Sequence, residues 1–221
     1  MQQQLMFTKD ETAIWTWMVS KGITNSLSGL SEMLGQELNV TSLDLKRYPA
    51  KDAAMLLGGP ENLVVGIYLT IDGDATGHLM LIHDPKIAFQ LIDLQLGLPP
   101  GSTQGLGEME RSVLGEMGNI TGSFFLNALA DASGLNLTIS PPVIMIDMVG
   151  AILDIALTKI MQEQDDVLVI RATFATDSQQ INGTFMVLPT SDFMKVILNN
   201  PKAQSVRTQY HLYAPGKSGT N

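Results

Sequence analysis

Residues 108–132 read EMERSVLGEMGNITGSFFLNALADA, a proline-free run with charges gathered at its start and apolar residues at helical spacing. The spacing predicts one long helix over Glu108–Ala132. Ser112, Glu116, Asn119 and Ser123 follow one another at intervals of four, three and four, so they share a face. Met109, Val113, Met117, Ile120 and Phe124 form the stripe read as facing the core. A carboxylate and a carboxamide three residues apart can reach one ligand together. The amide can hold a water as donor and acceptor at once, and the carboxylate can pair with a cation. A polar stripe at this spacing is more commonly a plain solvated helix face. Gly115 and Gly118 interrupt the same helix, each at a cost of about 1 kcal/mol in an exposed interior. Two causes fit: close approach of a partner at this face, or tight helix packing within the domain.

Working outward, residues 10–35 are expected to form another helix, with Ala13, Trp17, Ile23, Leu27, Leu30 and Leu34 at helical spacing. Gly22 and Gly29 either weaken it or mark close packing. A strand near Asn39–Lys46 and a short helix over Ala50–Leu57, ended by Gly58, Gly59 and Pro60, come next. Asn62–Thr70 reads as a strand, Ile71–Asp74 as a turn and Gly77–Ile82 as the hairpin partner. Asp84 and Pro85 open a helix to Leu96, and Gly97–Gly107 has the composition of a linker. After the long helix, Asn136–Ile146 is extended and holds Pro141 and Pro142. Val149–Met161 is helical, and Gln162–Asp166 is a polar break. Val167–Thr176 and Gly183–Leu188 are strands around a turn at Ser178–Asn182, and Thr190 or Ser191 caps a helix to Asn199. The tail 201–221 is polar and expected to fray.

The two halves share this syntax. Gly77–His83 and Gly183–Pro189 each follow a strand and a turn and precede a helix, and Leu30–Leu34 echoes Leu129–Ser133 at a helix end. The expected organisation is one domain built from two repeats, about residues 10–97 and 106–200. An α+β layer architecture with a pseudo-two-fold axis follows.

Composition narrows the function. Of 221 residues, 22 are acidic and 13 basic, for a formal net charge of −9. That disfavours nucleic acid, which needs a basic footprint, and an anionic membrane surface. Apolar residues make up 45% of the chain, enough for a real core. With no cysteine, disulfides, thiolate nucleophiles and zinc–thiolate sites are excluded. The start Met1–Leu5 lacks a basic segment followed by an apolar run, and Pro141–Leu153 is too short to span a bilayer and carries Asp147. A cytoplasmic protein without membrane insertion is expected. Asp72-Gly73-Asp74 lacks the rest of a calcium loop, and His78, His83 and His211 show no ligand spacing, so no metal site is expected.

The segment Glu116-Met117-Gly118-Asn119-Ile120 resembles the site of the CheC/CheX/FliY family of response-regulator phosphatases. The family pattern is Asp or Ser, three residues, Glu, two residues, Asn, twenty-two residues, Pro. Ser112, Glu116, Asn119 and Pro142 meet each interval. Asn127–Ala130 and the pair Pro141-Pro142 are also similar to the family, closest to CheC. The resemblance implies an internally duplicated α+β fold, with two long pseudo-symmetric helices side by side on a largely antiparallel sheet. It implies hydrolysis of the aspartyl phosphate on a CheY-type receiver in chemotaxis signalling. The chain would need no cofactor of its own, because the receiver brings Mg2+. Asn119 would orient water for in-line attack, and Glu116 would pair with the receiver's lysine. Ser112 would support the rim, and Pro142 would shape the strand entry beneath.

The first repeat departs from this pattern. The expected Glu and Asn fall at Trp17 and Ser20, and Ala13 stands where Asp or Ser should. Tryptophan cannot pair with lysine, and serine cannot span a carboxamide's water-holding geometry, so one competent site is expected. Trp17 is read as a core or interhelical residue, and Trp15 as an exposed residue on a partner surface. The alternative function is a non-catalytic receiver-binding scaffold, or one that regulates the deamidase CheD, related to flagellar switch proteins. Against a full switch protein stand the chain's end soon after the second repeat and a start unlike the usual receiver-binding peptide. Two repeats can form the family's pseudo-dimer within one chain, so a monomer is expected.

Overall fold

The computed structural model describes residues 9–162, 166–176 and 183–201. In chain order these form α1 (Lys9–Leu34), β1 (Leu38–Pro49), a 3₁₀ helix (Ala50–Leu57), β2 (Leu63–Gly73), β3 (Gly77–His83) and α2 (Pro85–Leu96). Then come α3 (Glu108–Ser133), β4 (Leu137–Ile139), β5 (Val143–Met148), α4 (Val149–Ile160), β6 (Asp166–Thr176), β7 (Gly183–Pro189) and α5 (Ser191–Asn199). The expected turn at Ser178–Asn182 and the tail beyond Pro201 lie outside the described residues.

The ends of several elements follow from local chemistry. The Asp84 carboxylate accepts the Lys86 N–H at 2.8 Å, and Pro85 sits in the first turn of α2, where its missing N–H costs nothing. Thr190 Oγ1 accepts the Phe193 N–H and so caps α5. The stretch 97–107, a linker by composition, is held tightly. The buried Asp93 carboxylate accepts the N–H groups of Gly101, Ser102 and Thr103 at 2.7, 3.1 and 2.8 Å.

All strands pair antiparallel in one seven-stranded sheet ordered β1-β6-β7-β3-β2-β4, with β5 also on β2. The order is palindromic. Exchanging β1 with the β4–β5 strand, β2 with β6 and β3 with β7 returns the same sheet, with β3 and β7 at its centre. The fold is thus internally duplicated, and each outer strand pairs with the other half of the chain. β4 and β5 lie end to end along β2 because Ser140, Pro141 and Pro142 break the strand between them. Prolines donate no hydrogen bond. Ser140 bridges the gap, donating its N–H to the Thr70 carbonyl and accepting the Thr70 N–H on its hydroxyl, both at 3.0 Å.

The sheet is covered on both faces, which is why β3 is buried at every position instead of alternating. One core joins it to α1, α2, α3 and α5 and holds Trp15, Met18, Phe125, Phe174 and Phe193. The other lies under α4 and the 3₁₀ helix, where Met80, Met186, Ile152, Leu153 and Ala156 meet. Trp15 is fully buried, its ring edge-on to Phe193 with centroids 5.7 Å apart, so it belongs to no exposed surface.

α1 and α3 run side by side and approach closely at glycines. A Cβ on Gly22 would lie 2.6 Å from the Phe125 ring, and one on Gly29 would lie 2.8 Å from Phe124 and 3.0 Å from Ile120. Between them, Ser26 Oγ lies 2.8 Å from the Thr121 carbonyl of α3 and 2.9 Å from the Gly22 carbonyl, its one proton shared by two acceptors in a buried position. The core stripe of α3 differs from the one read in the sequence. Leu114, Met117, Gly118, Thr121, Gly122, Phe125 and Leu129 are buried, whereas Met109 is 63% and Phe124 38% exposed. α3 has two neighbours, the sheet and α1. Phe124 and Ile120 serve the second at Gly29, and Met109, in the first turn, is mostly exposed.

Candidate functional site

α3 begins after Gly107, with Glu108 and Glu110 in its first turn, where carboxylates suit the positive end of the helix. Its outward face carries Ser112, Glu116 and Asn119, all exposed, with Ser123 half-buried one turn on. Among the described residues neither the Glu116 carboxylate nor the Asn119 carboxamide has a hydrogen-bond or ion-pair partner. Both polar groups therefore keep their full bonding capacity for something outside the fold.

The helix beneath them is firmly seated. Gly118, between Glu116 and Asn119, rests directly on β2: a Cβ there would collide with Ile67 Cγ2 and come within 3.2 Å of Pro142. Gly122 repeats this one turn later against Leu69 and Ile139, each at 3.1 Å. Thr121, buried, returns its hydroxyl to the Met117 carbonyl at 2.6 Å, so that hydroxyl is not stranded under the site. The structure thus brings Pro142 together with the α3 motif. It lies half-buried at the β4–β5 break, below Gly115 and Gly118.

Arg111 was not singled out by spacing. Its Nη1 donates to the Ile144 carbonyl of β5 at 3.1 Å, tying the start of α3 to the strand that follows Pro142. No local pattern signals this, because the partner lies far along the chain. Gly118 and Gly122 have a readable signal, small residues one turn apart, but not which neighbour they admit.

The corresponding face of α1 is differently built. Both long helices run 26 residues, and matching them end to end puts Ala13, Trp17 and Ser20 in the places of Ser112, Glu116 and Asn119. Trp17 is half-buried against the main core, with Lys21 Nζ 4.8 Å from its ring centroid. Ser20 returns its hydroxyl to the Thr16 carbonyl at 2.7 Å. Neither offers a free carboxylate or carboxamide.

The other polar candidates are used inside the fold. Asp72 accepts from the Thr70 hydroxyl at 3.2 Å, and Asp74 accepts the Asn136 N–H at 2.8 Å. His78 Nδ1 lies 2.9 Å from the Tyr68 hydroxyl. Among the described residues no group of three or more His, Asp or Glu could hold a metal ion, and no helix is long and apolar enough to cross a membrane.

Comparison with known proteins matches these features. The model of the CheC-like family matches residues 109–146, which span the α3 motif, β4, Pro142 and the first part of β5. The CheY-P phosphatase CheC of Bacillus subtilis is 29% identical over 175 residues, covering 77% of this chain and 84% of that protein. Among solved structures, Thermotoga maritima FliY superposes with a TM-score of 0.69 at 19% identity, over 93% of this chain and all of that one. A chain of a FliG–FliM complex from H. pylori gives 0.61 at 14% identity, over 87% and 99%. CheX from Desulfovibrio desulfuricans gives 0.52 at 16% identity, over 78% and 99%. At these identities the structures speak for the fold, and the likeness to the CheC/CheX/FliY family stands.

Proposed function

We propose that this chain hydrolyses the aspartyl phosphate of a CheY-type receiver in chemotaxis signalling, with one active site on α3. The observation that carries the reading is the pair Glu116 and Asn119, exposed, unpartnered among the described residues and held on a helix seated against β2. Their likeness to the family motif, and the relative named as a CheY-P phosphatase, support it. Glu116 pairs with a lysine of the receiver and sets the docked orientation. Asn119 enters beside the acyl phosphate and holds a water through its donor and acceptor. The water oxygen attacks phosphorus in line, the bond to the aspartyl oxygen breaks, and inorganic phosphate and a free carboxylate result. A carboxamide removes no proton, so the water's proton passes to phosphate or solvent. Mg2+ belongs to the receiver, where it offsets phosphoryl charge. Ser112 and Pro142 support this face, and α1, with Trp17 and Ser20, has no second centre. The protein acts as a cytoplasmic monomer with its two long helices paired internally, and a CheD-type partner would regulate it from elsewhere.

The work done is positioning, so a misplaced or missing water-holding group costs on the order of 10²-fold. The test is phosphate release from a magnesium-loaded phosphorylated receiver, with wild type beside Asn119→Ala. Wild type should accelerate decay, and the variant should lose about 10²-fold while still binding. A second reading, a receiver-binding scaffold without hydrolysis, is favoured by the FliM likeness and the altered α1 face. It wins if wild type binds several receivers and changes the decay of none.

A further inference from the structure

The helical glycines around the site divide into two kinds. Gly22, Gly29, Gly118 and Gly122 are demanded by the fold, since a Cβ on any of them would press within about 3 Å of a packed side chain. Gly115 is not. It lies on the outward face of α3 within one turn of Ser112, Glu116 and Asn119, is half-buried, and a Cβ there would meet Pro142 Cγ alone, at an ordinary 3.9 Å. Alanine would fit and would favour the helix. The fold therefore has no use for the missing side chain, while the position lies directly before Glu116 and one turn before Asn119, the two groups assigned to the chemistry.

We propose that Gly115 is the point of closest approach to the phosphorylated receiver. Its bare backbone, with Pro142 beneath it and Glu116 and Asn119 following within one turn, forms a shallow notch that seats a main-chain segment of the receiver beside its phosphoaspartate. The inference deepens the phosphatase reading and rests on it. A side chain at this position lifts the docked surface by about the length of one carbon–carbon bond, ~1.5 Å. A misplacement of that order is worth up to about 10²-fold in rate. Glu116 and Asn119 stay in place in such a variant, so any loss belongs to the notch.

The experiment compares wild type, Gly115→Ala and Gly115→Leu in three readouts: thermal unfolding, kcat and KM for a phosphorylated receiver, and binding of a beryllofluoride-loaded receiver. The expected result is a melting temperature raised by about 2–4 °C, with kcat/KM reduced roughly tenfold or more by alanine and further by leucine. Binding of the loaded receiver weakens in the same order. Variants that keep kcat/KM within about twofold of an active wild type overturn the notch and leave the phosphatase intact. A lowered melting temperature also overturns it, because Gly115 would then serve the fold. If wild type neither accelerates decay nor binds the loaded receiver, the phosphatase reading and the notch fall together. That outcome is separate from the first, because it shows already in the unsubstituted protein.

Discussion

Gly118→Ala tests how α3 is held against the sheet. The added Cβ would collide with Ile67 Cγ2 and sit 3.2 Å from Pro142 Cβ, both in the interior of the site's floor. Overpacking a tight core costs about 1–3 kcal/mol. Replacing glycine by alanine in a helix returns about 1 kcal/mol. The net expectation is a loss of roughly 0–2 kcal/mol, or up to about 8 °C in melting temperature for a chain of this size. Because that net is a difference of two terms, the decisive measurement is a double-mutant cycle with Ile67→Ala. Ile67 is completely buried, so its truncation alone should cost about 2–5 kcal/mol. Truncation also removes the methyl that blocks residue 118. In that background Gly118→Ala should shift from a loss toward a gain of up to about 1 kcal/mol, since the Ile67 clash is gone and only the 3.2 Å contact with Pro142 Cβ opposes the helix gain. Urea unfolding followed by circular dichroism reads all four free energies, and the expected coupling is about 1–3 kcal/mol. An effect of the same sign and size in both backgrounds would refute the close seating of α3 on β2.

Two further outcomes can be measured on the same protein. His83 is enclosed in β3, edge-on to Phe174, and burial pushes its imidazole down to about 4. Its folded value lies below the unfolded one of about 6.5, so the unfolded chain takes up the proton first as pH falls. The contribution is intact above about 6.5 and lost progressively down to about 4, on the order of 3 kcal/mol in total. Stability against pH should slope down across that window in wild type and flatten there in His83→Leu, and an unchanged slope counts against the buried neutral histidine. Ser26→Ala removes the hydroxyl shared with the Thr121 carbonyl between α1 and α3. It should cost about 0.5–1.5 kcal/mol by urea unfolding, and a neutral result would mean that the contact adds nothing to helix pairing.

Local chemistry made much of the molecule legible in advance. The cap at Asp84, the two long helices and the shared face of Ser112, Glu116 and Asn119 were readable, and Thr190 was one of two candidates for the other cap. The hairpin of β2 and β3 was readable too, although β2 continues through Ile71–Gly73, where the turn was expected. Each depends on residues within a turn or two of one another, where spacing and side-chain type decide the outcome. The family motif added Pro142, whose place below the helix no local rule would supply. What spacing could not decide was which neighbour meets which face. Trp15 seemed available to a partner, yet it closes the core against Phe193 from α5. Phe124 was read as facing the core, yet it is 38% exposed and turns to Gly29 of α1.

The sequence by itself determined most of the elements, the internal repeat and which polar groups share a face of α3, because periodicity and capping act over a few residues. Only the tertiary structure decided that β1 joins β6 and β5 joins β2 across the repeats, and that Arg111 reaches the Ile144 carbonyl. It also separated Gly118, pressed on Ile67, from Gly115, which only Pro142 Cγ approaches, at 3.9 Å. The physical reason is the same in each case. Two glycines three residues apart are identical to any local rule, and only the atoms that distant segments bring against them decide whether the space is filled from within or left for another molecule.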